Sequence, residues 1–347
     1  MPAEWEPHSA TWIGWPHNRT DWPGKFSAIP WVYAEIVRYL ARAERVEILV
    51  QNAAEESAAR EILDRANALS DSVRFHRVPT NRGWTRDYGP TFLKNDARVT
   101  TSPVAAIKWR FNAWAKYRDW QRDDAAGQKI VRLSGVPEWQ PTALLEGGPL
   151  RVVLEGGSIE VNGHGTLLTT EECLLSAEQQ RNPGLTRQHL EKVFADYLGI
   201  RKVLWLECGI VGDDTHGHID DIARFVAPDA VVAAHEPNTA DANHQPLQAN
   251  LVRLRKATDQ DGRRLKVLEL PLPAPVIFRG QRLPASYANF YIANKLVLVP
   301  VFNDPNDRVA LNLLADLFPD REVVGIYCRD LVWGLGAIHC MTQQQPA

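Results

Sequence analysis

The sequence predicts an α/β fold assembled from repeated supersecondary units. Three observations predict it. An amphipathic helix, a short β-rich strand and a polar, Gly-containing loop follow one another in that order three times along the chain. Four stretches read as strand hairpins around a tight polar turn. The last β-rich stretch has no hairpin mate downstream, and the first, near the N-terminus, has none upstream. Self-similarity of this kind points to stacked or ring-arranged units.

The elements follow in order. "ATWIGWP" opens as the unpartnered strand. "AAREILDRANAL" carries apolar residues near the 3.6-residue helical period, "VRFHRVP" is the strand after it, and "TNRGWTRDYGP" is the polar loop. "PTFLKNDARVTTS" and "GSIEVNGHGTLLTT" read as hairpins. The second series is the helix "LTRQHLEKVFADYLGI", the strand "KVLWLEC", the loop "GIVGDDTHGHIDD" and the hairpin "IARFVAPDAVVAAH". The hairpin "ANFYIANKLVLVPV" precedes the third, which runs "RVALNLLADLF", "EVVGIYC", "RDLVWGLGAIHC". The strand "AIHCMTQ" ends the chain without a hairpin mate, and its obvious partner is "ATWIGWP". If the units form a ring, that pairing closes it and pins Cys340, seven residues from the end, where chains otherwise fray.

Composition narrows the function classes. The 347 residues would allow two domains by length alone, but no Ser/Gly linker or low-complexity block divides them, so one domain over 1–347 is expected. Net charge is −3 without basic runs, which argues against a nucleic-acid partner. No apolar run approaches the roughly 20 residues of a membrane helix, and "MPAEWEPHSATWIGWP" lacks the pattern of a signal peptide. Cys173, Cys208, Cys328 and Cys340 show neither C-x-x-C spacing nor disulfide density, so a reducing cytoplasm is the expected location. Twelve tryptophans crowd mostly into the first 140 residues and read as core or interface.

The reactive residue types fall at equivalent places in the units. Asp87 lies in the first loop, His218 and Asp220 in the second, Cys340 in the third, and Glu155 at the start of another hairpin. In a ring such positions converge on the axis. Carboxylates beside a Cys disfavour its thiolate, so the set makes sense when the substrate brings positive charge. A planar guanidinium matches two carboxylates through bidentate hydrogen bonds and is held with its carbon before the sulfur. His218 can protonate departing ammonia and later activate water. Covalent hydrolysis of a guanidine needs those parts and neither metal nor cofactor.

Single motifs admit other readings. His216 and His218, flanked by Asp213, Asp214, Asp220 and Asp221, resemble part of a divalent metal site, but no third His-bearing segment completes a ligand set. "EGGPLRVVLEGGS" fails the G-x-G-x-x-G pattern of dinucleotide binding. Cys173, Cys208 and Cys328 read as structural. Asp213, Asp214 and Asp221 read as solvated, with Asp214 near enough to meet a substrate amine.

The series "WTRDYGPTF", "FNAW", "LEGGSIEVNGHGT", "DDTHGHIDD", "SYANFYIAN" and "IHCMTQQQP", with the opening "MPAEWEPHSATWIGWP", resembles the motifs of agmatine deiminases and bacterial peptidylarginine-deiminase-like proteins, in order along the whole chain. That resemblance implies a five-bladed α/β-propeller (pentein) of ββαβ repeats in the guanidine-modifying superfamily. It implies Cys340 as nucleophile, His218 as general acid/base, Asp87 and Asp220 as guanidinium-binding carboxylates, and Glu155 as the carboxylate that orients His218. Trp84, Asn289 and Tyr287 fall in pocket-lining segments. The implied reaction converts agmatine to N-carbamoylputrescine and ammonia.

Departures bear on the substrate. "TNRGW" carries Arg82 and Gly83 where agmatine deiminases usually have an acidic residue. Arg82 should repel a cationic tail if it faces the pocket, or meet the carboxylate of free or peptide-terminal arginine, the alternative substrate. The segment "AKYRDWQRDD" is short, and "GLGAIHC" places Leu335 and Ala337 where the family has a glycine and a small polar residue. A non-catalytic binding module is the reading from a different class; the full Cys, His and carboxylate set argues against it. The expected partner is a small guanidinium molecule, and an oligomer of identical chains is compatible with it.

Overall fold

The computed structural model describes residues 1–95 and 102–347. Five of its sheets share one plan: a first strand pairs antiparallel with a second, and a helical crossover leads to a third strand parallel to the second. In four of them the strands are Thr91–Lys94, Val104–Ile107 and Glu138–Trp139; Glu160–Val161, Thr166–Thr170 and Lys202–Leu206; Ala223–Ala227, Ala230–His235 and Lys266–Pro271; and Tyr291–Ile292, Leu296–Val301 and Glu322–Tyr327. The fifth joins the chain ends. Thr342–Pro346 pairs antiparallel with His8–Gly14, with Ile13 opposite Thr342 and Trp12 opposite Gln343, and Arg45–Val50 and Val73–Arg77 extend it in parallel. The α/β architecture and the pairing of the first strand with the last follow the sequence expectation.

Two expectations are corrected. Cys340 is not on the last strand; it stands on a turn just before Thr342. In the first hairpin the strand that pairs with Thr91–Lys94 is Val104–Ile107, while the expected run "ARVTTS" falls largely on residues 96–101, outside the described residues.

The crossover helices are set by local chemistry. Thr186 caps Arg187–Leu198 in a reciprocal box with His189, and Gly199 ends it in the left-handed conformation at φ 70°. Asp304 caps Pro305–Leu317, whose leading proline fits the first turn. Gln121–Ser134 is further fixed by close approach: a Cβ on Gly127 would lie 2.1 Å from the Tyr88 carbonyl oxygen. The crossover helices bury apolar faces in the cores between the sheets, and the largest core cluster runs from Trp12 and Ile48 to Leu298 and Met341.

Candidate active site

Each functional candidate stands a few residues ahead of the first strand of one of the five sheets. Asp87 lies on the short helix Thr85–Tyr88, and Glu155 precedes the 3-10 turn Gly156–Ser158. His218 and Asp220 flank the start of the turn Ile219–Asp221, Asn289 leads into Tyr291–Ile292, and Cys340 leads into Thr342–Pro346. The residues that sequence reasoning expected at equivalent places therefore come together in one cluster.

The thiol is buried, with Cys340 5% exposed. Asn289 donates from Nδ2 to its Sγ at 3.1 Å and to Asp221 Oδ1 at 2.9 Å, while Asn289 Oδ1 accepts the His339 and Cys340 amides at 2.9 and 3.4 Å. The thiol itself reaches Asp220 Oδ2 at 3.9 Å. Asn289 is thus a direct neighbour of the sulfur. Asp221 is buried too, rather than solvated as expected.

His218 is fully buried among carboxylates: its Nδ1 lies 3.8 Å from Asp87 and 3.9 Å from Asp220, and its Nε2 lies 3.6 Å from Glu155. None of these is within hydrogen-bond reach, and both ring nitrogens lack a partner. Such gaps tighten when a substrate arrives. Asp87 accepts Trp114 Nε1 at 3.0 Å and the Gly157 amide at 3.2 Å. Glu155 receives Arg181 Nε at 3.2 and 3.3 Å. Asp213 holds the loop itself, accepting the Gly217 amide at 2.7 Å and the His218 amide at 3.1 Å, so it is structural rather than solvated.

Electrostatics follow from burial. Desolvation, then Asp220, Asp221 and Asp87, push the Cys340 thiol well above its ordinary value. Burial pulls His218 down, but Asp87, Cys173 and Glu155 together hold it well above the usual imidazole range. Burial raises Asp87 to about 6. Burial also opposes ionisation of Glu155, yet Arg181 and His218 keep it below the ordinary carboxylate value. The site therefore holds a neutral thiol and an imidazolium.

Behind the site runs a buried ionic chain that sequence reasoning missed. Asp220 Oδ2 contacts His339 Nδ1 at 2.6 Å, and His339 Nε2 contacts Glu4 Oε2 at 2.8 Å. Arg224 donates to Glu4 at 2.8 Å and to Glu160 at 3.0 Å, and Arg86 donates to Glu4 at 3.2 Å. Cys173, read as purely structural, has its sulfur within 4.8 Å of the ligand atoms of His218 and Glu155. Those three atoms could face one cation, but the Arg181 guanidinium already paired with Glu155 opposes a metal there. His216 turns away from His218 toward Glu172 at 3.8 Å and Ser176 at 3.3 Å, so the H-x-H pair does not converge.

A cavity of about 350 Å³ opens onto Cys340 and Asp87 and is lined by Trp84, Trp114, Arg82, Asp214 and Leu335, among others. Trp114 sits within three consecutive left-handed residues, Ala113, Trp114 and Ala115 at φ 51°, 58° and 54°, a strained turn that lays its indole against Asp87. Leu335, at φ 67°, occupies a conformation that glycine adopts freely. Tyr287 does not line this cavity, contrary to expectation: its hydroxyl donates to Asp307 at 2.7 Å and its ring packs on Phe302. Asp214 lines it, but its carboxylate is engaged by Lys116 and by the Tyr117 hydroxyl at 2.6 Å.

The sequence model of the Porphyromonas-type peptidyl-arginine deiminase family matches residues 1–346. The chain belongs to this family. Its relatives include the agmatine deiminase of Medicago truncatula, 37% identical with 100% of this chain and 96% of the relative covered. That of Stutzerimonas stutzeri is 36% identical, with 100% and 95% covered. Among solved structures, the agmatine deiminase of Enterococcus faecalis superposes with a TM-score of 0.89 at 33% identity, covering 100% of this chain and 95% of that one. The agmatine deiminase of C. jejuni with substrate bound gives 0.86 at 27% identity, with 100% and 96% covered. Full-length coverage at this similarity means that the α/β fold of this peptidyl-arginine deiminase family member is that of the agmatine deiminases.

Proposed function

We propose that this protein is a guanidine hydrolase that converts agmatine and water to N-carbamoylputrescine and ammonia through a covalent adduct on Cys340. The observation that carries the reading is that Cys340 and Asp87 open onto one cavity, with Asp220 within reach of the sulfur and His218 set behind them among Asp87, Asp220 and Glu155. Such a thiol does not ionise until a cation enters. A guanidinium held by Asp87 and Asp220 offsets that negative charge, and the thiol passes its proton to Asp220 Oδ2, the carboxylate oxygen it reaches at 3.9 Å. The sulfur bonds to the guanidinium carbon, and His218 gives its proton to the departing nitrogen, which leaves as ammonia. The neutral imidazole then takes a proton from water, whose oxygen attacks the amidino carbon. Collapse breaks the C–S bond and releases the ureido product; the proton of the new hydroxyl returns to the sulfur, and the proton held by Asp220 leaves with ammonia as ammonium, which restores the carboxylate. Glu155, fixed by Arg181, orients His218.

The five sheets of one strand plan, closed by the first and last strands, support a five-bladed propeller forming one domain over residues 1–347. Four unpaired cysteines are in keeping with a reducing cytoplasm. Arginine, free or at a peptide terminus, is the second substrate reading, because Arg82 lines the cavity. The test is ammonia and ureido-product formation from agmatine, arginine and a peptide ending in arginine, each against Cys340→Ala. Agmatine turnover lost in the variant is expected. Turnover retained in it refutes the covalent route, and preference for an arginine substrate, reduced by Arg82→Asp, moves the assignment to the second reading.

A further inference from the structure

Four acidic side chains line the cavity: Asp21, Asp87, Asp119 and Asp214. Three of them are engaged by the protein. Asp87 accepts from Trp114 and Gly157 and belongs to the guanidine end. Asp214 is engaged by Lys116 and Tyr117. Asp119 pairs with Arg82, which reaches its side chain at 2.8 Å and its carbonyl at 2.7 Å; the Asp119 side chain is 57% exposed, so water screens what remains.

Asp21 differs from these. Its Oδ1 accepts from Asn18 at 2.9 Å, but its Oδ2 is buried and has no hydrogen-bond partner. The neighbouring Trp22 anchors this loop, donating to the Leu331 carbonyl at 2.8 Å and packing on Trp84 at 5.4 Å, so the Asp21 backbone is held at the cavity wall. A buried carboxylate oxygen without a donor is costly unless something arrives to fill the place. Burial raises Asp21 to about 7, against the pull of Arg82 and with Asp119 adding to the rise, as expected of an acid short of a partner.

The molecule's own cations do not fill that place. Arg82, the cation in the wall, is tied twice to Asp119. A substrate carboxylate at this end would meet Asp21, Asp119 and Asp214 and find Arg82 occupied. An ammonium group would meet an acceptor in waiting, with Trp84, Trp114 and Leu335 flanking the methylenes between the two ends.

We propose that Asp21 selects the substrate's tail, its unpartnered oxygen receiving a distal ammonium, so that the site takes ω-guanidinoalkylamines in preference to guanidino acids. This rests on the deiminase reading above and compensates for the acidic residue that Arg82 and Gly83 displace. The experiment compares kcat/KM for agmatine, butylguanidine (the same guanidine and chain without the ammonium) and 4-guanidinobutanoate. The wild-type protein should prefer agmatine to butylguanidine by at least roughly tenfold, as a hydrogen-bonded charge contributes. In Asp21→Asn the agmatine-to-butylguanidine ratio should fall roughly ten- to hundredfold, chiefly through KM, and 4-guanidinobutanoate should gain on agmatine. A wild-type protein that hydrolyses agmatine and butylguanidine equally well overturns the inference without recourse to any variant, and leaves the deiminase reading standing. An unchanged ratio in a folded Asp21→Asn does the same. A wild-type protein that hydrolyses none of the three overturns both.

Discussion

The charge state of Cys340 gives the sharpest prediction. Its sulfur lies 3.9 Å from Asp220 Oδ2. With both ionised, repulsion at an effective dielectric of about 20 costs about 4 kcal/mol, or roughly three pKa units from this carboxylate alone. Asp221 and Asp87 add to it. A bound amidinium cancels that repulsion, whereas a neutral reagent leaves it in place. The perturbation is therefore the charge of an alkylating agent: 2-chloroacetamidine, a cation, against 2-chloroacetamide, neutral, with the same leaving group. Second-order inactivation rates at pH 7, each divided by the rate with a free small thiol, should differ by on the order of a hundredfold or more in favour of the cation. Inactivation by the neutral reagent should show no inflection below about pH 9. Equal normalised rates, or a thiolate titrating near pH 7 with chloroacetamide, would refute the picture of a thiol that waits for its substrate's charge.

Three further outcomes are expected. Asp87, raised to about 6 by burial first and by Asp220 and Glu155, must be ionised to hold a guanidinium, so kcat/KM should rise with pH through about 6, while the acid limb of kcat, where the bound cation favours the carboxylate, should lie lower; coincident limbs in pH–rate profiles would contradict this. Gly157→Ala would set a Cβ 2.5 Å from His218 Nδ1 and 2.9 Å from Asp87 Oδ1, and should lower kcat at least roughly a hundredfold in a protein that still unfolds cooperatively; near-normal kcat would show that the imidazole has room to move. Arg224→Met should destabilise the fold by about 3–5 kcal/mol in urea titrations, because it strands Glu160 and half of Glu4 as buried carboxylates; a loss under about 1 kcal/mol would mean that Arg86 and His339 suffice.

Much of this was legible in the sequence, for identifiable reasons. Helices such as Arg187–Leu198 and hairpins such as Ala223–His235 carry clear periodicity and turns, and a repeat puts Asp87, Glu155, His218, Asp220 and Cys340 at matching places. What pairs across the molecule was hidden. Glu4 sits in an unremarkable acidic stretch and finds His339 335 residues away, and Arg181 looks like an ordinary loop cation until Glu155 meets it. Tyr287 was misplaced because the chain turns at Tyr287–Ala288, sending its side chain toward Asp307 while Asn289 faces the sulfur. Asp21 carries no motif; only the engagement of its neighbours marks it.

The seam between the first strand and the last has a consequence for synthesis. Strand His8–Gly14 leaves the ribosome long before Thr342–Pro346, the strand that covers its outer edge, and Glu4 waits as long for His339. At 5–20 residues per second that delay is roughly 15–70 s. Throughout it the nascent chain displays an open, apolar β edge, a template for unwanted pairing, beside an acidic hollow that can attract cations but lacks the Cys340 sulfur. A ribosome that stalls late would thus release an inert product, and shielding of that early strand by a chaperone should limit the yield of active enzyme more than the folding of any single sheet.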